Sequence, residues 1–402
     1  MSSAYGDMLG HPATAQLFAA PAVVRAMLRL ERELVRAQAE LGLVAADHAQ
    51  TVAACCEDEP DHLQAQELVA QAAASGSLAI PVVNWLKARV RERDAAALVA
   101  THLGATSQDL IDTAMSLQGQ QALALIDAQV QRVLRSILRL AQSHGSAPLL
   151  ARTLMQPALP TVLEARLLNW ALPLQRCREQ LTLRGAQALT LQLAGPVGTG
   201  AAWGERGVAL RKAVAHRLGL PLHAWAWQVQ RDEVARLAAE LGVLVGAMAK
   251  VAADVALMSQ AEVGELQEST APGRGGSSAM SHKRNPVGAM VALAALHRAP
   301  QRVAAVIGAM AHEHERALGP WQAEGAEWAD LFVIAAGACA AMADALEHAS
   351  VDPARMAHHL HVFMAGSAAQ ATHGAPRLEA GPDALQAQRA VCWAELARRL
   401  SA

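Results

Sequence analysis

Ser277, Lys283 and Asn285 fall within the stretch GSSAMSHKRNP at 276–286, which places hydroxyls, a cation and an amide within a few residues of one another. The glycines of GRGG at 273–276 open backbone angles closed to other residues, so the segment can fold over a ligand and open again as a lid. The serine hydroxyls are then candidate proton carriers. Lys283 and Asn285 stand just before Pro286, at the expected start of a helix, and would suit a negative charge developing on a substrate carboxylate. A solvated Gly/Ser linker with a basic tail would share this composition, so the rest of the chain must decide.

Two other constellations bear on that decision. HLGATSQD at 102–109 runs into LIDT at 110–113. Ser, Thr and Asp ahead of a helix read first as caps for orphan N–H groups, yet the same N–H groups and hydroxyls also form a carboxylate site. RTLMQPALP at 152–160 puts an arginine and a glutamine on a loop that enters a helix.

Together the three stretches resemble the signature regions of the fumarase/aspartase superfamily, in the same order and with similar separations. The lid matches the pattern GSSxMPxKxNP except that Ser281 stands where the family has proline. The resemblance, which extends to about residue 350, implies an all-α long helix bundle assembled as a homotetramer, with each site built from different subunits. It implies proton transfer next to a carboxylate, with Ser277 as proton carrier and Lys283 and Asn285 neutralising the charge that builds up. His102, Thr106, Ser107, Arg152, Gln156, Ser278, Arg316 and Trp321 become the substrate-binding candidates.

Many members carry RTHxQ in the second region, with a histidine on the leaving-group side paired to a glutamate seven residues after the lid lysine. Here those positions are Leu154 and Met290. An amine or hydroxide must be protonated to depart, whereas a carboxylate with a solution pKa of about 4 leaves as a stable anion. Loss of both groups is what a carboxylate leaving group predicts. The blocks HLGATSQDLIDTA, RTLMQPALP, APGRGGSSAMSHKRNPVGA and EHERALGPW resemble the bacterial 3-carboxy-cis,cis-muconate cycloisomerase branch. That likeness implies closure of a lactone on a small-molecule tricarboxylate without cofactor. A C–N lyase of the same fold is the alternative, and a non-catalytic homologue a further one; Ser281 and a C-terminal part shorter than the family's speak for the latter. No metal is expected, because His312 and His314, two apart on an expected helix, would face different sides.

These residues need long helices to hold them. In 402 residues the apolar fraction is 53% and the aromatic fraction only 3%, so the core must be Ala, Leu, Val and Met in close-packed helices. Apolar positions recur at steps of three and four from 121 to 143 and from 231 to 262; further helices are expected at 161–184, 287–317 and 326–348, and no strand run is evident. The expected organisation is an N-terminal helical domain (1–110), a central bundle (111–348) with the lid near 268–286, and a short C-terminal helical domain (349–402) with a loop at 366–382. A net charge of −2 gives no reason to expect nucleic acid or a membrane as partner. The odd set of five cysteines, without CxxC spacing, and the absence of a leader pattern fit a cytoplasmic protein with reduced thiols.

Overall fold

Alanine and leucine at helical spacing dominate the chain, and a computed structural model describes residues 4–269, 274–277, 279–280, 283–371 and 385–401 as an almost wholly helical molecule. Ser278 and Ser281 lie outside the described residues.

Short helices α1 (Ala4–Leu9) and α2 (Pro12–Leu17) precede α3 (Ala20–Glu40), α4 (Ala46–Glu57), α5 (His62–Ser75) and α6 (Ala79–Arg93). On α3, Val24, Met27, Leu28, Leu34 and Val35 are buried on one face, the stripe of an amphipathic helix. They join a core with Val52, Val82, Leu86 and Val90 that also takes in Leu191, Leu193 and Trp203 from much later in the chain.

A second core lies among the bundle helices α7 (Ser107–His144), α8 (Leu163–Ala188), α10 (Asp232–Met258), α11 (Val287–Gly308) and α12 (Pro320–Glu347); α9 (Gly207–Leu218) lies outside it, against the first core. Ala289, Ala292, Ala295 and Ala299 form a buried seam along α11, and α12 offers Ala335, Ala336, Ala338 and Ala343 in the same core. Side chains this small allow close helix approach, which is how a chain poor in aromatics fills its interior. Both α10 and α12 are long and apolar enough to cross a membrane, but half of the apolar window of α10 and two thirds of that of α12 are buried, with Leu241, Met248, Phe332 and Met342 among the residues packed into this core. Helices α13 (Pro353–Ala371) and α14 (Gln386–Ser401) follow, α14 against α7 and α8.

The all-α class and the long helices agree with the sequence, with differences at the ends. The helix expected at 287–317 stops at Gly308, so residues 309–319 form a loop and His312, His314 and Arg316 are not helical. Helix α12 starts at Pro320, earlier than expected, because proline suits a first helical position. Residues 366–371, expected in a loop, belong to α13, and 372–384 lie outside the described residues.

Strands do occur. β1 (Pro148–Thr153) and β2 (Gln156–Val162) form an antiparallel hairpin, and β3 (Leu266–Gln267) pairs with β4 (Ser350–Val351). The hairpin turns on Leu154 and Met155, whose φ angles of 50° and 67° are left-handed. Tight hairpins favour such angles but normally recruit Gly or Asn for them, so the sequence carried no turn signal here.

Candidate active site

The first region is organised by a buried carboxylate. Asp109, on the first turn of α7, accepts the backbone N–H groups of Thr106 (3.0 Å), Ala194 (2.9 Å) and Gly195 (2.9 Å) and the side-chain amide of Gln192 (3.1 Å). It thus caps its own helix and pins the 192–195 segment to it. Burial pushes Asp109 up to about 6, against the pull of these donors. Ahead of the cap, Gly104 has φ +77°, and a Cβ there would lie 2.5 Å from Trp203 Nε1, so only glycine lets Trp203 donate to the Leu103 carbonyl at 3.1 Å. His102 bonds to the buried Glu31 through Nδ1; burial alone would lower its pKa, but the charge and hydrogen bond of Glu31 raise it overall.

Arg316 reaches this region from the loop after α11. Its Nη2 donates to Thr106 Oγ1 at 2.8 Å and to the Pro196 carbonyl at 3.3 Å. Beneath them lies a buried ionic cluster: Arg231 pairs with Asp112 at 2.9 Å and with Glu324 at 3.0 Å, all with side chains fully buried. Trp321 belongs to this cluster. Rather than sitting in a loop, it occupies the first turn of α12, is 6% exposed, and donates its indole N–H to Asp112 Oδ1 at 3.0 Å. His102, Thr106, Ser107, Arg316 and Trp321 are therefore gathered at one end of the bundle.

The other candidates sit at the opposite end. Arg152 on β1 lies 3.4 Å from Glu265, which is completely buried and also bonded to His359 Nδ1 at 2.9 Å. Gln156 is exposed beside the hairpin tip, where Leu154 is 96% and Met155 67% exposed. The lid is tied at its base by an antiparallel bridge between Gly276 and Arg284 and by Asn285 N–H donating to the Gly275 carbonyl at 2.8 Å. Gly275 has φ +67°, and a Cβ would meet Asn285 O at 2.5 Å, so the base closes only with glycine. Glu268 accepts the N–H groups of Gly288 and Ala289 at 2.9 and 2.8 Å and so caps α11 directly behind the lid.

Within the lid, Ser277 is half-buried and its Oγ accepts the backbone N–H groups of Met280 (3.1 Å) and Ala279 (3.4 Å). Lys283 is exposed and makes no ion pair among the described residues. Lys283, Asn285, Arg274 and Arg284 line a cavity of about 660 Å³ together with Gln267, Glu268 and Ser269. A cavity of that size with convergent cations suits a small polyanion.

Sequence reading did not find Arg231, Glu324, Gln228, Glu265 or Glu268, which brace these groups. Asp109 and Asp112, one helical turn apart, were legible only as caps. Arg231 sits in the polar run QVQRDE at 228–233, where an arginine reads as solvated and no spacing marks it for burial.

The fold and this arrangement define a lyase-type enzyme of the fumarase/aspartase superfamily. The lyase family profile matches residues 14–300, and the chain belongs to that family. It is 39% identical over 354 residues to the 3-carboxy-cis,cis-muconate cycloisomerase of Bradyrhizobium diazoefficiens, covering 88% of this chain and 76% of that one. The crystal structure of 3-carboxy-cis,cis-muconate lactonizing enzyme from Pseudomonas putida superposes with a TM-score of 0.85 at 33% identity, over 99% of this chain and 88% of the other. A nitrosuccinate lyase from Streptomyces davaonensis is 37% identical, over 83% of this chain and 72% of its own.

Proposed function

We propose that the protein lactonises 3-carboxy-cis,cis-muconate, a small tricarboxylate, to a carboxymuconolactone. The observation that carries this reading is the apolar replacement of the acid pair: Leu154 is 96% exposed at the hairpin tip and Met290 48% exposed on α11, while Ser277, Lys283 and Asn285 are all retained. A site with that loss can add or expel a carboxylate but not an amine that needs protonation. In the proposed step a substrate carboxylate oxygen bonds to an alkene carbon, and the displaced electron pair moves into the conjugated carboxylate. Lys283 and Asn285 hold that charge. Ser277 then delivers its proton to the neighbouring carbon and regains one from solvent, so one proton is consumed per lactone formed. Two backbone N–H groups directed at Ser277 Oγ would stabilise the transient alkoxide.

The site is shared between subunits of a homotetramer in this reading. Supporting this, α7 carries the first region at its start and leads to the hairpin past its end, a separation of about 57 Å for 38 residues at 1.5 Å each. Helix α11, with 22 residues or about 33 Å, likewise separates the lid from the Arg316 loop. Subunits packed antiparallel would bring unlike ends together and cover Leu154, Met155 and Met290.

The test is loss of the diene ultraviolet absorbance of 3-carboxy-cis,cis-muconate on adding purified protein, with Ser277→Ala alongside. Rapid loss with wild type only is expected. Persistence of the diene with wild type would overturn the assignment, and an active Ser277→Ala would remove Ser277 from the chemistry. The likeness to a nitrosuccinate lyase favours one second reading, an elimination from a substituted succinate. Appearance of fumarate absorbance from nitrosuccinate, with the muconate left unchanged, would select it.

A further inference from the structure

The main-chain oxygen of Gln228 is a common acceptor in the Arg316 region: His312 Nδ1 lies 3.2 Å from it and Gln108 Nε2 2.8 Å. The Gln228 side-chain amide in turn donates to the Glu315 carbonyl at 2.9 Å, which fixes the loop that carries His312 and Arg316. A carbonyl only accepts, so His312 Nδ1 bears the hydrogen, and in the neutral ring Nε2 is a bare lone pair. That Nε2 is buried without a hydrogen-bond partner, and so are Gln108 Oε1 and Arg316 Nε in the same cluster. Unpaired buried polar atoms are costly, and several in one place, on residues that flank Thr106 and Arg316, mark where a ligand or water is to be met.

With Nδ1 committed, His312 can donate to an anion only as imidazolium. The charged groups around it are Asp112 on α7, Arg231 ahead of α10, Glu324 on α12, and Glu313, His314 and Arg316 on its own loop. Burial first, then the Arg231 charge, hold its pKa below the ordinary histidine value despite Glu324, Asp112 and the Gln228 bond. A carboxylate reaching Nε2 would reverse that balance.

We propose that His312 is a substrate-positioning residue that takes a proton from solvent onto Nε2 as a carboxylate of the bound tricarboxylate arrives there, so that anion binding and imidazole protonation are one event. The inference rests on the reading that the substrate is a polycarboxylate. It adds a pairing partner for the anion that is silent in the empty protein.

Calorimetric titration with tricarballylate, a tricarboxylate that cannot lactonise, tests it at pH 7.5 in two buffers of different ionisation enthalpy. Wild type should take up close to one proton per ligand bound, and His312→Gln, which keeps a donor for the Gln228 carbonyl, should take up almost none. The wild-type Kd should rise up to about tenfold per pH unit between pH 7 and 8.5, one proton's worth, and stay flat in the variant. Binding without uptake by wild type, or equal uptake by both proteins, overturns the proposal. If the variant does not fold, absence of uptake by wild type still overturns the proposal. Failure of tricarballylate to bind would instead strike at the polycarboxylate reading, which the absorbance assay examines separately.

Discussion

Lys283 has no carboxylate to neutralise it among the described residues, unlike Arg152, which faces Glu265, Arg231, which has Asp112 and Glu324, and Arg274, which lies 3.5 Å from Asp344. A cation left unpaired above a cavity keeps its charge for a ligand. Lys283→Ala should therefore lower turnover by roughly 100- to 1,000-fold, the usual cost of losing one preorganised oxyanion donor. A near-normal rate in a steady-state assay would place the anion elsewhere. His102 supports a different prediction. Its folded-state pKa lies above the ordinary 6.5 because the Glu31 charge and hydrogen bond outweigh burial. The pair's stabilisation is then complete below pH 6.5 and is lost as pH rises through the folded value. The Tm gap between wild type and His102→Asn should be widest near pH 6 and narrow towards pH 9; a gap constant across that range would remove the ion pair as its cause. Side chains with a family pattern, such as Ser277 and Lys283, were legible in the sequence. The braces of the first region and of the Arg316 loop were not, because Glu31, Arg231, Gln228 and Glu324 come from elements tens to hundreds of residues away from the groups they hold, and only three-dimensional packing makes them neighbours.

Among the elements, regular apolar spacing located the greater part of α7 and the whole of α10, since a face that must be buried repeats at 3.6 residues whatever it packs against. Helix ends were read less well. The end at Gly308 and the start at Pro320 depend on a loop held by Gln228 and Thr106 rather than by local residues. The β1–β2 hairpin was missed altogether, since its prolines at 148, 157 and 160 and its turn at Leu154 and Met155 run against strand and turn preferences. One short-range brace can be tested at this scale. Glu268 satisfies two N–H groups at the start of α11, one of them on Gly288, and lies on the segment that leads into the lid. Glu268→Ala should leave both donors unpaired, cost about 1–3 kcal/mol in chemical unfolding, and speed hydrogen exchange at Gly288 and Ala289. Unchanged exchange there would mean that the lid base is held by other contacts.

For the whole molecule, the separation of the regions follows from helix length alone. With Thr106 and Arg316 at one end of the bundle and Ser277 and Lys283 at the other, the proposed single site would have to draw on more than one chain. The large apolar side chains at the hairpin tip fit the same picture, because Leu154 and Met155 are left in solvent by their own chain. Two inactive variants with lesions at opposite ends should therefore complement each other. Ser277→Ala destroys the lid end and Arg316→Ala the other; each alone should form oligomers with almost no turnover. Refolded together in equal amounts, they should regain about a quarter of wild-type activity, since each site draws its two ends from different chains and random mixing makes one site in four intact. The same proteins refolded apart and then combined should stay inactive for as long as subunits do not exchange. If the co-refolded mixture recovers nothing while sedimentation shows hybrid oligomers, both ends of each site come from one chain and the shared-site arrangement fails.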